Sequence, residues 1–196
     1  MMKKWMILAL LTFVATVGFA KKKLNVSVES GDISVVCEKG KTASLVFNYD
    51  GLIIEGKPAQ EYLTHQSADH LKDWPEDNKK VAAYFLEKWN EKNKDGLQLV
   101  DGAKADYKMQ IHVTYLDLGS VAGAMFGLKR TDGGCLVTAT ITIKDNKGKT
   151  LCKIKVDELK GPSTKAWDIG TNEVNRRKYA YEKMGKQVIE LAKDKK

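Results

Sequence analysis

One stretch constrains the fold more than any other. Between residues 106 and 116, Tyr107, Met109, Ile111, Val113 and Tyr115 alternate with Lys108, Gln110, His112 and Thr114. A period of two is a strand with one buried and one wet face. A sheet wetted on one side points to antiparallel pairing, because parallel sheets are covered on both faces. A hairpin follows at 135–144 and 150–158, around Asn146-Lys147-Gly148. Its apolar positions are odd in the first arm (Val137, Ala139, Ile141, Ile143) and even in the second (Cys152, Ile154, Val156). A one-residue slip turns every side chain over, so the two sets share a face only in alternate registers. A two-residue loop at Lys147-Gly148 selects the register pairing Ile143 with Cys152 and Ile141 with Ile154, with Gly148 where positive φ is wanted. Cys135 then lies roughly 25 Å along the face from Cys152. A bridge needs Cα atoms within about 7 Å, so these two do not pair and Cys152 is a buried thiol unless Cys37 lies beside it.

The rest of the chain can be placed around this sheet. Residues 24–57 read as strands: Leu24, Val26 and Val28, then Ile33, Val35 and Cys37, then Ala43, Leu45, Phe47 and Tyr49, with a short buried piece at Leu52-Ile53-Ile54. Two helices come next, one from Pro58 to about Lys72 and one opened by Pro75, with Val81, Tyr84, Phe85 and Trp89 on one side and Gly96 as its stop. Leu97 to Val100 is a further strand. The final helix, about 172–193, carries Val174, Tyr181, Met184, Val188 and Leu191 as its stripe, with Thr171 or Asn172 as cap. Strands, two helices, strands and a helix make an α+β protein: a largely antiparallel sheet with helices packed on one face.

Residues 1–20 read differently. Met1-Met2-Lys3-Lys4 is a basic start, Trp5 to Phe19 is apolar, and Ala20 precedes Lys21-Lys22-Lys23. That order is a secretory signal peptide, and an apolar run of about fifteen residues is short of the roughly 20 needed to span a membrane. The expected domains are a signal at 1–20 and a single α+β domain at 21–196, long enough for a real core. Two of the 33 basic residues fall in the signal, which leaves 31 against 25 acidic residues, a net charge of +6. Much of the excess sits at Lys21 to Lys23 and in the tail at Lys193, Lys195 and Lys196. An exported chain with no arginine–aromatic platform is not read as a nucleic-acid binder. Three cysteines allow at most one bridge, so this is no disulfide scaffold, and none has the spacing of a zinc site.

Four short pieces carry a resemblance: Gly31-Asp32-Ile33-Ser34-Val35, Phe47-Asn48-Tyr49-Asp50, Ala105-Asp106-Tyr107, and Tyr181-Glu182-Lys183-Met184-Gly185-Lys186. In these the chain resembles a family of small secreted proteins of uncharacterised function from Gram-negative anaerobic bacteria. Residues 105–158 are also similar to envelope lipoproteins with an Ala-Asp-Tyr strand, a glycine loop and a Gly-Lys hairpin. The signal junction lacks the cysteine that such lipoproteins acylate. The resemblance implies fold and location and brings no catalytic residues.

Three places are candidates for function. Glu61, His65 and Asp69, with Asp73 beyond, stand four apart, which places them on one helix face as a carboxylate–imidazole–carboxylate stripe. The other reading is a solvated face with i,i+4 pairs; His70 faces elsewhere. His112 lies on the wet side of its strand, either as a simple exposed histidine or, if the uncovered sheet face is the binding surface, as a ligand or catalytic group. The glycine-rich segment 119–134 carries Met125, Phe126, Leu128, Lys129 and Arg130. It fits no phosphate-loop register, and it reads as a loop tucked on the sheet edge, a protein contact or a membrane-touching tip. There is no nucleophile elbow and no cysteine in an activating context.

The expected protein is therefore an exported, periplasmic or secreted envelope protein that acts by binding through Met125, Phe126, Leu128, Lys129 and Arg130, with no cofactor and no metal. Its partner is an envelope protein, a glycan or an anionic surface. The alternative is a hydrolase or metal-dependent enzyme using Glu61, His65 and Asp69.

Overall fold

The computed structural model describes residues 24–102, 104–119, 134–162 and 173–195. The signal segment 1–20, the glycine-rich positions 120–133 and the caps Thr171 and Asn172 lie outside them. The described strands are β1 (Val26–Gly31), β2 (Thr42–Asn48), β3 (Ile53–Ile54), β4 (Lys57–Pro58), β5 (Gln98–Val100), β6 (Tyr107–Asp117), β7 (Leu136–Asp145) and β8 (Thr150–Lys160). The helices are α1 (Ala59–Gln66), α2 (Ala68–Lys92) and α3 (Glu173–Lys193), with a 3₁₀ turn at Ile33–Cys37. Among the described residues no helix is long and apolar enough to cross a membrane.

All eight strands form one sheet, in the order β1-β8-β7-β6-β2-β5, with β3 on the far end of β6 and β4 beside it. The sheet is mixed rather than largely antiparallel. β1–β8, β8–β7, β7–β6 and β3–β4 run antiparallel, whereas β2 is parallel to both β5 and β6, and β3 is parallel to β6. The reason is the helical crossover: α1 and α2 carry the chain from the end of β2 back to its start, which a parallel neighbour requires. By Asp106 the chain is again at the start of β2, where the Asp106 carboxylate accepts from the Thr42 N–H at 2.9 Å and from Lys41 Nζ at 3.0 Å.

The hairpin register is the expected one, with Ile143 opposite Cys152 and Ile141 opposite Ile154. Its turn is not a two-residue loop. A bulge between Ile143 and Lys144 sets Lys144 opposite Thr150, and the Asp145 carboxylate accepts from the backbone N–H groups of Lys147 and Lys149, both at 2.9 Å. Gly148 does take positive φ, at 82°. A second irregularity lies between Val113 and Tyr115 of β6. It inverts the alternation, so Leu116 is buried and Tyr115 leaves the buried set.

Residues 33–37 form a 3₁₀ turn, not a strand. The Asp32 carboxylate accepts from the Ser34 N–H at 2.9 Å and ends the extended run, while Ile33, Val35 and Val36 turn inward together. Pro75 does not open α2: it lies inside the helix on an exposed side, and Ser67 is the N-cap, its hydroxyl accepting from the His70 N–H at 3.2 Å.

The core joins sheet and helices through aromatic rings. Phe47 of β2 meets Phe85 of α2 edge-on at 5.7 Å and stacks on Tyr181 of α3 at 5.3 Å. Trp89, Met184 and Val188 are buried with Met109, Ile111, Ile141 and Ile154 from the strands. At the end of α2, Trp89 Nε1 donates to the Leu97 carbonyl at 2.8 Å, and the buried Asn93 side chain donates to the carbonyls of Val36 and Leu97. These bonds tie the 3₁₀ turn to the helix and satisfy the carbonyls of Val36 and Leu97.

Candidate functional site

The helix-face stripe is divided. Glu61 and His65 are exposed on α1, but Ser67 is fully extended (φ −174°, ψ 161°), and Asp69 and Asp73 belong to α2. Spacing of four aligns side chains only within one continuous helix, so the break at Ser67 removes the shared face. Glu61 instead approaches Lys57, at 3.8 Å. Among the described residues, no three His, Cys, Asp or Glu side chains come together as a metal site. Met125, Phe126, Leu128, Lys129 and Arg130 lie outside the described residues.

His112 belongs to a more coherent surface. Its Nε2 donates to the Asp50 carbonyl at 2.9 Å, so the ring is held by the loop after β2 and that nitrogen is committed. In register with it are Asn48 on β2 and Thr140 on β7, and Thr140 in turn faces Lys155 of β8. The next row is Val46, Gln110, Thr142 and Lys153. The third is Ser44, Lys108 and Lys144. These positions alternate with the buried Met109, Ile111, Ala139, Ile141 and Ile143, so they share the polar face of the sheet.

The charges on this face are not equally compensated. Lys153 pairs with Glu29 at 3.1 Å and Lys155 with Asp157 at 3.3 Å. Lys108 and Lys144 stand directly opposite each other on β6 and β7, and among the described residues neither has an ion-pair partner. Directly opposed side chains in an antiparallel pair have Cβ atoms about 5 Å apart, and like charges there are destabilising. Two carboxylates line the depressions here: Asp106 bonds Lys41 and Thr42, and Asp145 accepts through Oδ1 from its own turn. The Thr42 N–H first, and then Lys41, hold the Asp106 carboxyl below its usual value. The two lysines line an open depression of about 350 Å³ together with Ser44, Gln110, Asp145, Asn146 and Gly148. A second of about 530 Å³ adjoins it at Ala105 and Asn146.

The sequence alternation puts Lys108 on the wet side of β6, but its pairing with Lys144 is not readable there. Eighteen residues, 118–135, separate the two strands, and a connection of that length leaves register open.

Fold and surface define the class: a mixed α/β protein whose sheet presents a threonine- and lysine-rich polar face. No protein-family model matches the chain, and no curated protein matches it. Among solved structures it is similar to the PelC dodecamer from Paraburkholderia phytofirmans, at 12% identity and a TM-score of 0.41, over 80% of this chain and 89% of that one. A variant of that protein in another crystal form matches at 11% identity and a TM-score of 0.35, over 66% of this chain and 75% of that one. A likeness this distant carries no argument about what the chain does.

Proposed function

We propose that the chain is an exported protein of the cell envelope that binds an acidic polysaccharide on the polar face of its sheet, with the helices packed on the opposite face. The observation that carries this is the uncompensated pair Lys108 and Lys144, opposed in register beside an open depression. Two like charges kept together at a cost in stability are accounted for by an anion that bridges them. Thr138, Thr140 and Thr142 recur along β7 about every 7 Å and supply hydroxyls in a row, a spacing suited to a linear polymer of hydroxylated rings. A lipid surface fits less well. Membrane-docking faces present large apolar or aromatic side chains, and the large apolar residue exposed here is Val46 alone among those described. The basic start, apolar run and Ala20 junction support export.

The test is retention of the protein on an immobilised polyuronate against a neutral glucan, as salt is raised. Retention on the polyuronate should fall with salt, and the double change Lys108→Ser, Lys144→Ser should weaken it by roughly tenfold, as the loss of about 1.4 kcal/mol requires. Equal retention on the neutral glucan, or full retention by the double variant, would refute the reading. Intact mass of protein recovered outside the cytoplasm should lack residues 1–20; a mass that includes them removes the export claim.

A further inference from the structure

Arg177 is fully buried, which is rare for a charge without full pairing. Its guanidinium lies 4.1 Å from the Trp74 ring centroid, and Nη1 donates to the Asn78 side-chain oxygen. Nε is 3.7 Å from the Glu173 carboxylate, an ion pair too long for a hydrogen bond. Among the described residues, Nε and Nη2 have no hydrogen-bond partner. One turn along α3, Tyr181 is fully buried, and Tyr49 reaches the same region from the end of β2; the two hydroxyls neighbour each other, and among the described residues neither has another hydrogen-bond partner. The rings are fixed. Tyr49 and Tyr181 both stack on Phe47, at 6.1 and 5.3 Å, and Tyr49 meets Trp74 edge-on at 6.2 Å.

The imbalance has a sign. Nε carries one free proton, Nη2 two, and the tyrosines one each, against a single distant carboxylate. A Tyr49–Tyr181 hydrogen bond would still leave one phenolic proton and the three guanidinium protons. Buried polar atoms are almost always paired, so several unpaired donors around one cation call for an anionic acceptor. The Nε–Nη2 edge is the edge of arginine that matches two carboxylate oxygens side by side. The Trp74 ring lies against the guanidinium carbon and makes no hydrogen bond to that edge. We propose that Arg177, Tyr49 and Tyr181 form an interior site for a small carboxylate, which takes the guanidinium edge with its two oxygens and the phenolic protons from the side. This site is separate from the lysine pair on the sheet.

The experiment uses the mature chain with sodium acetate and sodium formate as probes, against sodium chloride at equal ionic strength. The melting temperature should rise with carboxylate concentration and saturate, and chloride should not reproduce the rise. Arg177→Lys keeps the charge but removes the fork, and should abolish the response. Tyr49→Phe and Tyr181→Phe keep the stacked rings and decide the matter if Arg177→Lys does not fold: each should weaken acetate binding at least fivefold without lowering the carboxylate-free melting temperature. No difference between acetate and chloride in the wild type would overturn the proposal. So would undiminished acetate binding in both tyrosine variants. The Lys108→Ser, Lys144→Ser protein should keep the full acetate response, and its loss there would also count against an interior site.

Discussion

Gly185 of α3 faces Phe85 of α2 at close range: a Cβ on Gly185 would stand 3.1 Å from Cε2 of Phe85 and 3.4 Å from Cε3 of Trp89. The helices approach as they do because α3 has no side chain at this point. Gly185→Leu should force them apart and cost about 3 kcal/mol, while Gly185→Ala should stay within about 1 kcal/mol, its helix propensity offsetting the tight contact. Urea unfolding of the two variants measures both. A leucine tolerated without loss would mean that α2 and α3 do not pack through this glycine.

The three thiols should react at very different rates. Burial pushes the Cys135 thiol up to about 12 and the Cys152 thiol up to about 11, whereas Cys37 is half-buried. The thiolate is the reactive form, and access limits it further. At mildly alkaline pH, an aromatic disulfide reagent should titrate Cys37 quickly in the native protein and reach Cys135 and Cys152 only on unfolding. Cys37→Ser should remove the fast phase. Fast labelling of Cys152 in the native state would contradict the packing between β7 and β8.

Asp106 gives the acid side of the stability curve a definite slope. Its folded-state pKa lies below the ordinary 3.8, held there first by the Thr42 N–H and then by Lys41. A depressed carboxylate contributes stability that is fully present above its unfolded value and lost as pH falls through the folded one. Wild type should therefore lose stability relative to Asp106→Asn as pH falls from about 5 through the ordinary carboxylate value and below it, the two curves converging at the acid end. Parallel curves over that range would show that the carboxylate does not pin the start of β2.

Where local periodicity decided the structure, it could be read. The parity of apolar positions set Ile143 against Cys152, and the observed pairing agrees even though the turn that joins the arms is longer. Where a single side chain overrode the pattern, it could not. Ile33, Val35 and Cys37 alternate as a strand does, but the Asp32 carboxylate captures the Ser34 N–H and winds the segment. Pro75 looks like a first-turn residue, yet the Ser67 hydroxyl starts the helix earlier. The parallel strands depend on where the crossover helices return the chain, a tertiary matter that alternation does not encode. Arg177 was legible in part: it precedes Tyr181, Met184 and Val188 by four, seven and eleven residues, so it shares their stripe. Next to Arg176 it reads instead as one of a solvated basic pair. Its burial against Trp74 follows only once α2 and α3 are brought together.

Among the described strands, β1 has a single partner. Val26 and Val28 pair only with Val156 and Ile154, about 130 residues later in the chain. Contacts that distant form late, because a long loop must close before any hydrogen bond rewards it. Of the described strands, the first in the chain thus cannot pair until β8 has been made. Any chain threaded end to end through a narrow path would have to leave this sheet incomplete until it had passed.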